Sequence, residues 1–440
     1  MKKQTANDAF YLLAFFALLI LMGTFALLIP AAWGGPSKLH PLDAFFTACS
    51  AVCVTGLATV DTASYTRLGQ GIILALIQLG GLGIISFTSI LISIPGQRIP
   101  FRRLNTIKSF YTDGVEFEPA KIVRSIVVFT LAIEGLGALA LYGLFRAQGT
   151  AAPAFTAVFH SISAFCNAGF STFSDSMESF NSKTSILIVL SALFITGGLG
   201  FIVLQDLGRR LAGKNRRLTW HSKAVLATTA FLLLAGSLAF LALEWNRSFD
   251  GMAGGQRIAN AFFQAATPRT AGFNAVPQGA LSQPSKVLVI ILMFIGGAPG
   301  SIAGGIKVTT FLLVLVVMTR RPGFNGDINV FHRRLPFSLT NKAVVYFLKA
   351  LALLAVSAGA LSLVEGLRGA PFEQLVFESV SAFGTVGLSM GYTPQLGPAG
   401  KLIIIFTMFA GRVGLIALAF PALRKEPAHI TYPSVDILLG

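Results

Sequence analysis

The chain has 440 residues, 54% of them apolar and 12% charged, with 45 Gly and 38 Phe. Soluble domains carry about 25% charged residues, so this composition excludes a disordered chain, argues against a soluble enzyme and points to a polytopic membrane protein. The formal net charge of +16 does not signal nucleic acid, because the basic residues sit in short loops between apolar runs. Three Cys cannot frame a disulfide scaffold.

Met1-Lys2-Lys3 and the apolar run 10–29 resemble a secretory signal. No small-residue cleavage site follows, and the run has spanning length, so it is expected to be the first transmembrane helix. Seven more spans are expected over 71–93, 122–145, 184–206, 224–244, 286–318, 342–364 and 401–423. Shorter apolar runs at 42–57, 154–170, 258–273 and 372–388 are too short to cross a bilayer and read as re-entrant segments. The order long, short, long recurs four times. It divides the chain into repeats 1–100, 101–215, 216–335 and 336–425, with a tail 426–440. The expected fold class is an all-α polytopic membrane protein, four tandem helix–pore-loop–helix repeats arranged pseudo-fourfold around one central pore.

The short segments align residue by residue. Phe46, Phe159, Phe262 and Phe377 are each followed ten residues later by Gly56, Gly169, Gly272 and Gly387, and then by Leu or Phe. The Gly-to-Gly spacings are 113, 103 and 115. The second helix of each repeat carries glycines mid-run, at Gly80-Gly81-Leu82-Gly83, Gly197-Gly198-Leu199-Gly200, Gly296 to Gly300, and Gly411 to Gly414. The first two clusters read as close-packing sites.

Lys and Arg favour cytoplasmic loops. They cluster over 98–124, 209–223 and 320–342 and at Lys2, Lys3, Arg424 and Lys425. Both termini are therefore expected inside, with the half-helices entering from outside. Polar backbone at membrane depth is tolerated only where protein buries it or water lines it. Four half-helices, each ending in a short Gly-containing stretch, predict a pore in which backbone carbonyls replace the hydration shell of a monovalent cation. The partly negative helix C-termini would face the ion. A membrane enzyme would need acidic or His pairs within spans, and only Glu134 lies in a span interior, so no enzyme is expected. An inverted-repeat transporter does not fit parallel repeats.

The sixth span covers 286–318, 33 residues, about 50 Å of helix against a core of about 30 Å. Its middle reads Gly296-Gly297-Ala298-Pro299-Gly300-Ser301-Ile302-Ala303-Gly304-Gly305-Ile306-Lys307. Interior Gly and Pro cost a helix about 1 and about 3 kcal/mol each, so a break is expected here. Arg412 lies mid-helix where the other repeats have small or apolar residues, and is a functional candidate. Lys349 and Glu134 are expected to pair or snorkel, and Arg269 and Glu378 to brace the pore segments. Cys49 and Cys53 read as packing. His160 and His332 have no surrounding constellation.

Together, Val54-Thr55-Gly56, Asn167-Ala168-Gly169, Thr270-Ala271-Gly272 and Thr385-Val386-Gly387 resemble the selectivity filter of the Trk/Ktr/HKT superfamily of potassium transporters. The resemblance spans the whole chain. Eight spans without an additional N-terminal pair are similar to the membrane subunit of a bacterial Ktr uptake system. The resemblance implies potassium uptake across the cytoplasmic membrane, with K+ held by backbone carbonyls of those twelve residues. Gly at all four positions implies potassium, with a sodium or mixed translocator as the alternative. It further implies a gating loop at Gly296–Lys307 opposed by Arg412, and sodium as a candidate activator with no organic cofactor on this chain. The implied partners are membrane lipid, a second copy packed through residues 430–440, and a cytoplasmic ring of nucleotide-binding RCK-type regulatory subunits.

Overall fold

The computed structural model describes residues 2–93, 119–213, 217–321, 323, 326–330 and 333–414. The expected basic loop after the second span and the tail 426–440 lie outside these residues. The helices are α1 (Lys2–Leu27), α2 (Pro41–Val52), α3 (Arg67–Ser93), α4 (Pro119–Ala147), α5 (Pro153–Phe165), α6 (Thr184–Leu199), α7 (Phe201–Leu211) and α8 (Trp220–Glu244). They continue with α9 (Gly254–Ala266), α10 (Gln283–Phe294), α11 (Val308–Thr319), α12 (Phe337–Glu365), α13 (Phe372–Gly384) and α14 (Pro398–Phe409), and a wide π turn over Ala410–Gly414. Between α11 and α12 lies a small antiparallel hairpin, β1 (Ile328–Val330) and β2 (Arg333–Leu335).

Among the described residues, three helices have by themselves the length and hydropathy of a bilayer span: Val123–Ala147, Trp220–Glu244 and Phe337–Arg368. The four half-helices α2, α5, α9 and α13 have only 12 or 13 residues, about 19 Å at 1.5 Å per residue, well short of the core thickness. Three of them start on a local signal. Pro41 and Pro153 occupy the first turns of α2 and α5, where a missing N–H costs nothing. The His40 ring accepts from Leu42 N–H, and the Gln256 side chain accepts from Ala253 N–H at the start of α9. The inner residues of all four are buried, among them Phe46, Phe159, Phe263 and Phe377, each with no exposed surface. Val158, Ile258 and Phe372 on their outer turns stay exposed, so the protein encloses one face and the inner end of each half-helix.

Two sequence expectations need correction. The fourth span is not one helix over 184–206: it breaks at Gly200, and α7 leaves α6 at 105°. The cause is Gly200 itself, with φ 84° and ψ 143°, a backbone region essentially closed to other residues. In the third half-helix the buried aromatic is Phe263, not Phe262, one residue nearer the glycine than the alignment implies. The break expected in the sixth span is present, with α10 ending at Phe294 and α11 starting at Val308.

Candidate functional site

The half-helices end in four matching turns. Val54, Asn167, Thr270 and Thr385 all have positive φ (54°, 57°, 74° and 49°), as do Gly56, Gly169, Gly272 and Gly387 (95°, 69°, 78° and 93°). The residue between, Thr55, Ala168, Ala271 or Val386, does not. Alternation of the sign of φ turns successive peptide planes, so their carbonyls need not alternate sides as in a strand. Left-handed φ costs Val and Thr energy and persists only where the surroundings over-determine it.

Those surroundings are hydrogen bonds back to the helix. The N–H groups of Thr55, Ala168 and Val386 donate to the carbonyls of Ser50, Ser163 and Ser381 at 2.8, 2.7 and 2.9 Å, and Ala271 N–H donates to Thr267 at 2.9 Å. The hydroxyls of the same four residues close the turn. Ser50 and Ser381 accept from the N–H of Gly56 and Gly387 at 3.0 and 3.1 Å. Ser163 and Thr267 donate to the carbonyls of Phe170 and Phe273 at 2.7 and 2.8 Å. In three of the turns the hydroxyl residue stands six before the glycine. In the third it stands five before, and Phe263 shifts with it.

The four glycines meet one another in a closed cycle. A Cβ on Gly56 would collide with the Ala168 carbonyl oxygen, one on Gly272 with that of Val386, and one on Gly387 with that of Thr55. A Cβ on Gly169 would lie 2.9 Å from the Ala271 oxygen. Glycine is therefore needed because the neighbouring segment's carbonyl fills the Cβ position as well as for its φ. Asn167 and Thr270 link the second and third segments, with 3.2 Å between the Asn167 amide and Thr270 Oγ1. The hydroxyls of Thr55 and Thr385 are buried without a partner among the described residues.

Directly against this ring lies the segment that interrupts the sixth span. Its stem is closed by Gly296 N–H to Ile306 O (2.8 Å) and Ile306 N–H to Phe294 O (3.2 Å), and Val308 N–H donates to Gly297 O (3.0 Å). Gly300 and Gly305 take positive φ, and Ser301 Oγ and Lys307 Nζ donate to the carbonyls of Ala298 and Ala303 (2.6 and 2.5 Å). Gly304 packs on Thr385, whose hydroxyl would collide with a Cβ there. Arg412, 5% exposed, donates to the carbonyls of Ile302 and, at 3.1 Å, Gly80. The sequence nominated Arg269 as a brace of the pore segment. Its guanidinium donates to Gly296 O of the interrupted span at 3.3 Å, which ties the third segment to that span.

The remaining candidates are accounted for locally. Glu134 accepts from Gln78 Nε2 (3.1 Å) and lies 3.7 Å from Cys166 Sγ. Glu378 accepts from Ser389 Oγ, Met390 N–H and Thr393 Oγ1 (2.5, 3.2 and 2.5 Å). His160 bonds Thr156 O and Ser171 Oγ. Cys49 and Cys53 stand 3.9 Å apart, and among the described residues no cluster of three or more His, Cys, Asp or Glu has a metal-binding arrangement. Sequence reasoning missed Ser50, Ser163, Thr267 and Ser381, although Ser recurs at one place in three of the aligned segments. It read Gly200 as a packing residue and missed the break there.

The fold and this cluster define a helical membrane protein whose polar backbone is concentrated in four buried turns and two interrupted spans. Comparison with known proteins gives the family. The model of the TrkH family, described as cation transport protein, matches residues 2–429. The Ktr system potassium uptake protein B of Bacillus subtilis is 37% identical over 434 residues, covering 97% of this chain and 95% of that protein. The potassium/sodium uptake protein NtpJ of Enterococcus hirae is also 37% identical, over 437 residues with the same coverages. The crystal structure of the potassium transporter TrkH from Vibrio parahaemolyticus superposes with a TM-score of 0.73 at 20% identity, covering 92% of this chain and 82% of that one. The chain belongs to the TrkH family of cation transport proteins, and it is a membrane cation transporter rather than an enzyme.

Proposed function

We propose that the chain is the pore-forming subunit of a Ktr-type potassium uptake system in the cytoplasmic membrane, with both termini in the cytoplasm. The four repeats surround one pore with pseudo-fourfold symmetry, and K+ passes through a filter formed by Val54–Gly56, Asn167–Gly169, Thr270–Gly272 and Thr385–Gly387. The observation that carries this reading is the closed cycle of contacts between the four glycine turns. A ring of backbone oxygens can substitute for ion hydration. The names of the relatives from Bacillus subtilis and Vibrio alginolyticus, the latter 38% identical over 409 residues, support potassium. Gating is assigned to Gly296–Lys307, held on the filter by Arg412. Two chains form the assembly, with residues 430–440 in their interface, on a cytoplasmic nucleotide-binding regulatory ring. The word "system" in the names of those relatives supports such a partner.

Tracer rubidium uptake into liposomes holding the pure chain tests this reading. Uptake should be competed by external K+ and far less by Na+. Equal competition by both ions favours the second reading, a mixed sodium and potassium translocator, for which the name of the Enterococcus hirae relative speaks. No uptake under either condition overturns both.

A further inference from the structure

The break in the fourth span has no part in the filter, yet it lies against the interrupted sixth span. A helix that stops leaves its last carbonyls and the next helix's first N–H groups without partners. Gly198 O, at the end of α6, accepts from Ala298 N–H at 2.9 Å. Phe201 N–H, the first of α7, donates to Gly300 O at 3.1 Å. Between these two bonds the Pro299 carbonyl oxygen lies 2.7 Å from the position of a Gly200 Cβ. Two interrupted spans from different repeats thus satisfy each other's free backbone groups. The contact falls on Ala298–Gly300, where the Gly296–Lys307 segment passes from buried Ala298 to exposed Gly300. Other anchors, Arg269 on Gly296, Arg412 on Ile302 and Thr385 on Gly304, lie on either side of it.

α7 is also tied at its far end. Asp206 accepts from Thr219 N–H and Oγ1 at 2.8 and 3.0 Å, which joins α7 to the start of α8. Its last turn carries Arg209 and Arg210, on the side the basic loops assign to the cytoplasm.

We propose that Gly198, Gly200 and Phe201 are positioning residues for the gate: the backbone of this break holds the tip 298–300 in the closed position, and α7 is the element through which it is held. The proposal rests on the reading that Gly296–Lys307 obstructs the pore.

Phe201→Pro tests it chemically. Position 201 is the first residue of a helix, where Pro fits, and the preceding Gly200 already has the extended ψ that Pro requires. The substitution therefore removes the donor to Gly300 O. Phe201→Ala removes the ring and keeps that donor. Basal rubidium flux should rise about fivefold in Phe201→Pro, the shift expected for the net loss of one hydrogen bond, and stay at the wild-type level in Phe201→Ala. In a chain lacking residues 298–304, Phe201→Pro should add nothing, because the two changes act on one contact. A rise only from the deletion, with Phe201→Pro equal to wild type, overturns the positioning role and leaves the gate reading intact. A deletion without a rise overturns the gate reading and the positioning role with it. A rise from Phe201→Pro that persists in the deleted chain overturns the positioning role alone. Should the Pro variant fail to fold, amide exchange of Phe201 in the wild-type chain decides. Protection that is lost on deleting 298–304 supports the contact, and an unprotected amide in the intact chain overturns it.

Discussion

Gly56 illustrates why a single atom matters at the ring. It has φ 95°, and its Cβ position is filled by the Ala168 carbonyl oxygen. Gly56→Ser must displace that oxygen in one quarter of the proposed filter. The expected outcome is reduced discrimination of K+ over Na+ in competition assays of rubidium uptake; unchanged discrimination would remove Gly56 from the filter. The hydroxyls behind the ring give a second prediction. Ser381 Oγ is the acceptor for Gly387 N–H, and an unpaired buried N–H costs about 1–3 kcal/mol. Ser381→Ala should therefore lower thermal stability in detergent and weaken ion selectivity. Ser379→Ala supplies the control, since the Ser379 hydroxyl is buried without a partner among the described residues and its loss leaves no group newly unpaired. Equal effects of the two substitutions would show that the Ser381 bond holds nothing in place.

At the scale of elements, the interrupted span behaves as a loop pinned by its neighbours rather than as a kinked helix. A kink keeps most of its ladder hydrogen bonds, whereas the bonds of 295–307 run to Phe294, Ile306, Gly198, Phe201, Arg269 and Arg412. Deleting residues 298–304 should raise basal flux if this segment obstructs the pore. Arg412→Ala should raise it too, because it releases the Ile302 carbonyl and leaves that carbonyl without its charged donor. A charge-assisted bond is worth about 1.5–3 kcal/mol, so the expected rise is tenfold or more in single-channel or tracer flux. A chain that inserts normally and shows wild-type or lower flux in both variants would count against a plug. The break between α6 and α7 belongs to the same scale. Gly197 does pack as a close-contact glycine, its Cβ position blocked by the Phe165 carbonyl oxygen. Gly200, three residues on, ends the helix.

For the whole molecule, large apolar side chains such as Phe25, Leu139, Leu238, Val356 and Leu363 face outward, as lipid contact requires of a chain whose polar backbone is enclosed. The proposed dimer adds a test at this scale. Removing residues 430–440 should convert the dimer to monomer in detergent, as read by light scattering. A truncated chain that still runs as a dimer refutes the role of the tail.

What the sequence by itself determined was local and periodic. Apolar run length marked the long helices Val123–Ala147, Trp220–Glu244 and Phe337–Arg368, because bilayer thickness sets the length a spanning helix needs. The recurrence of Gly56, Gly169, Gly272 and Gly387 located four equivalent turns, and five glycines with Pro299 marked the sixth span as broken, because helix propensity is an intrinsic property of each residue. Tertiary structure decided what those residues meet. Gly80-Gly81-Leu82-Gly83 and Gly197-Gly198-Leu199-Gly200 are the same pattern in sequence, yet only the second ends a helix. There the backbone of the sixth span, about a hundred residues away, supplies the hydrogen bonds that a break must find. The one-residue shift of Phe263 and Thr267 was equally hidden, since a turn can close through the N–H of a glycine or through the carbonyl beyond it, and composition does not choose between them. That each of the four turn glycines lies against a neighbouring segment's carbonyl follows only from bringing four distant segments together, and no local pattern encodes an atom contributed by another segment.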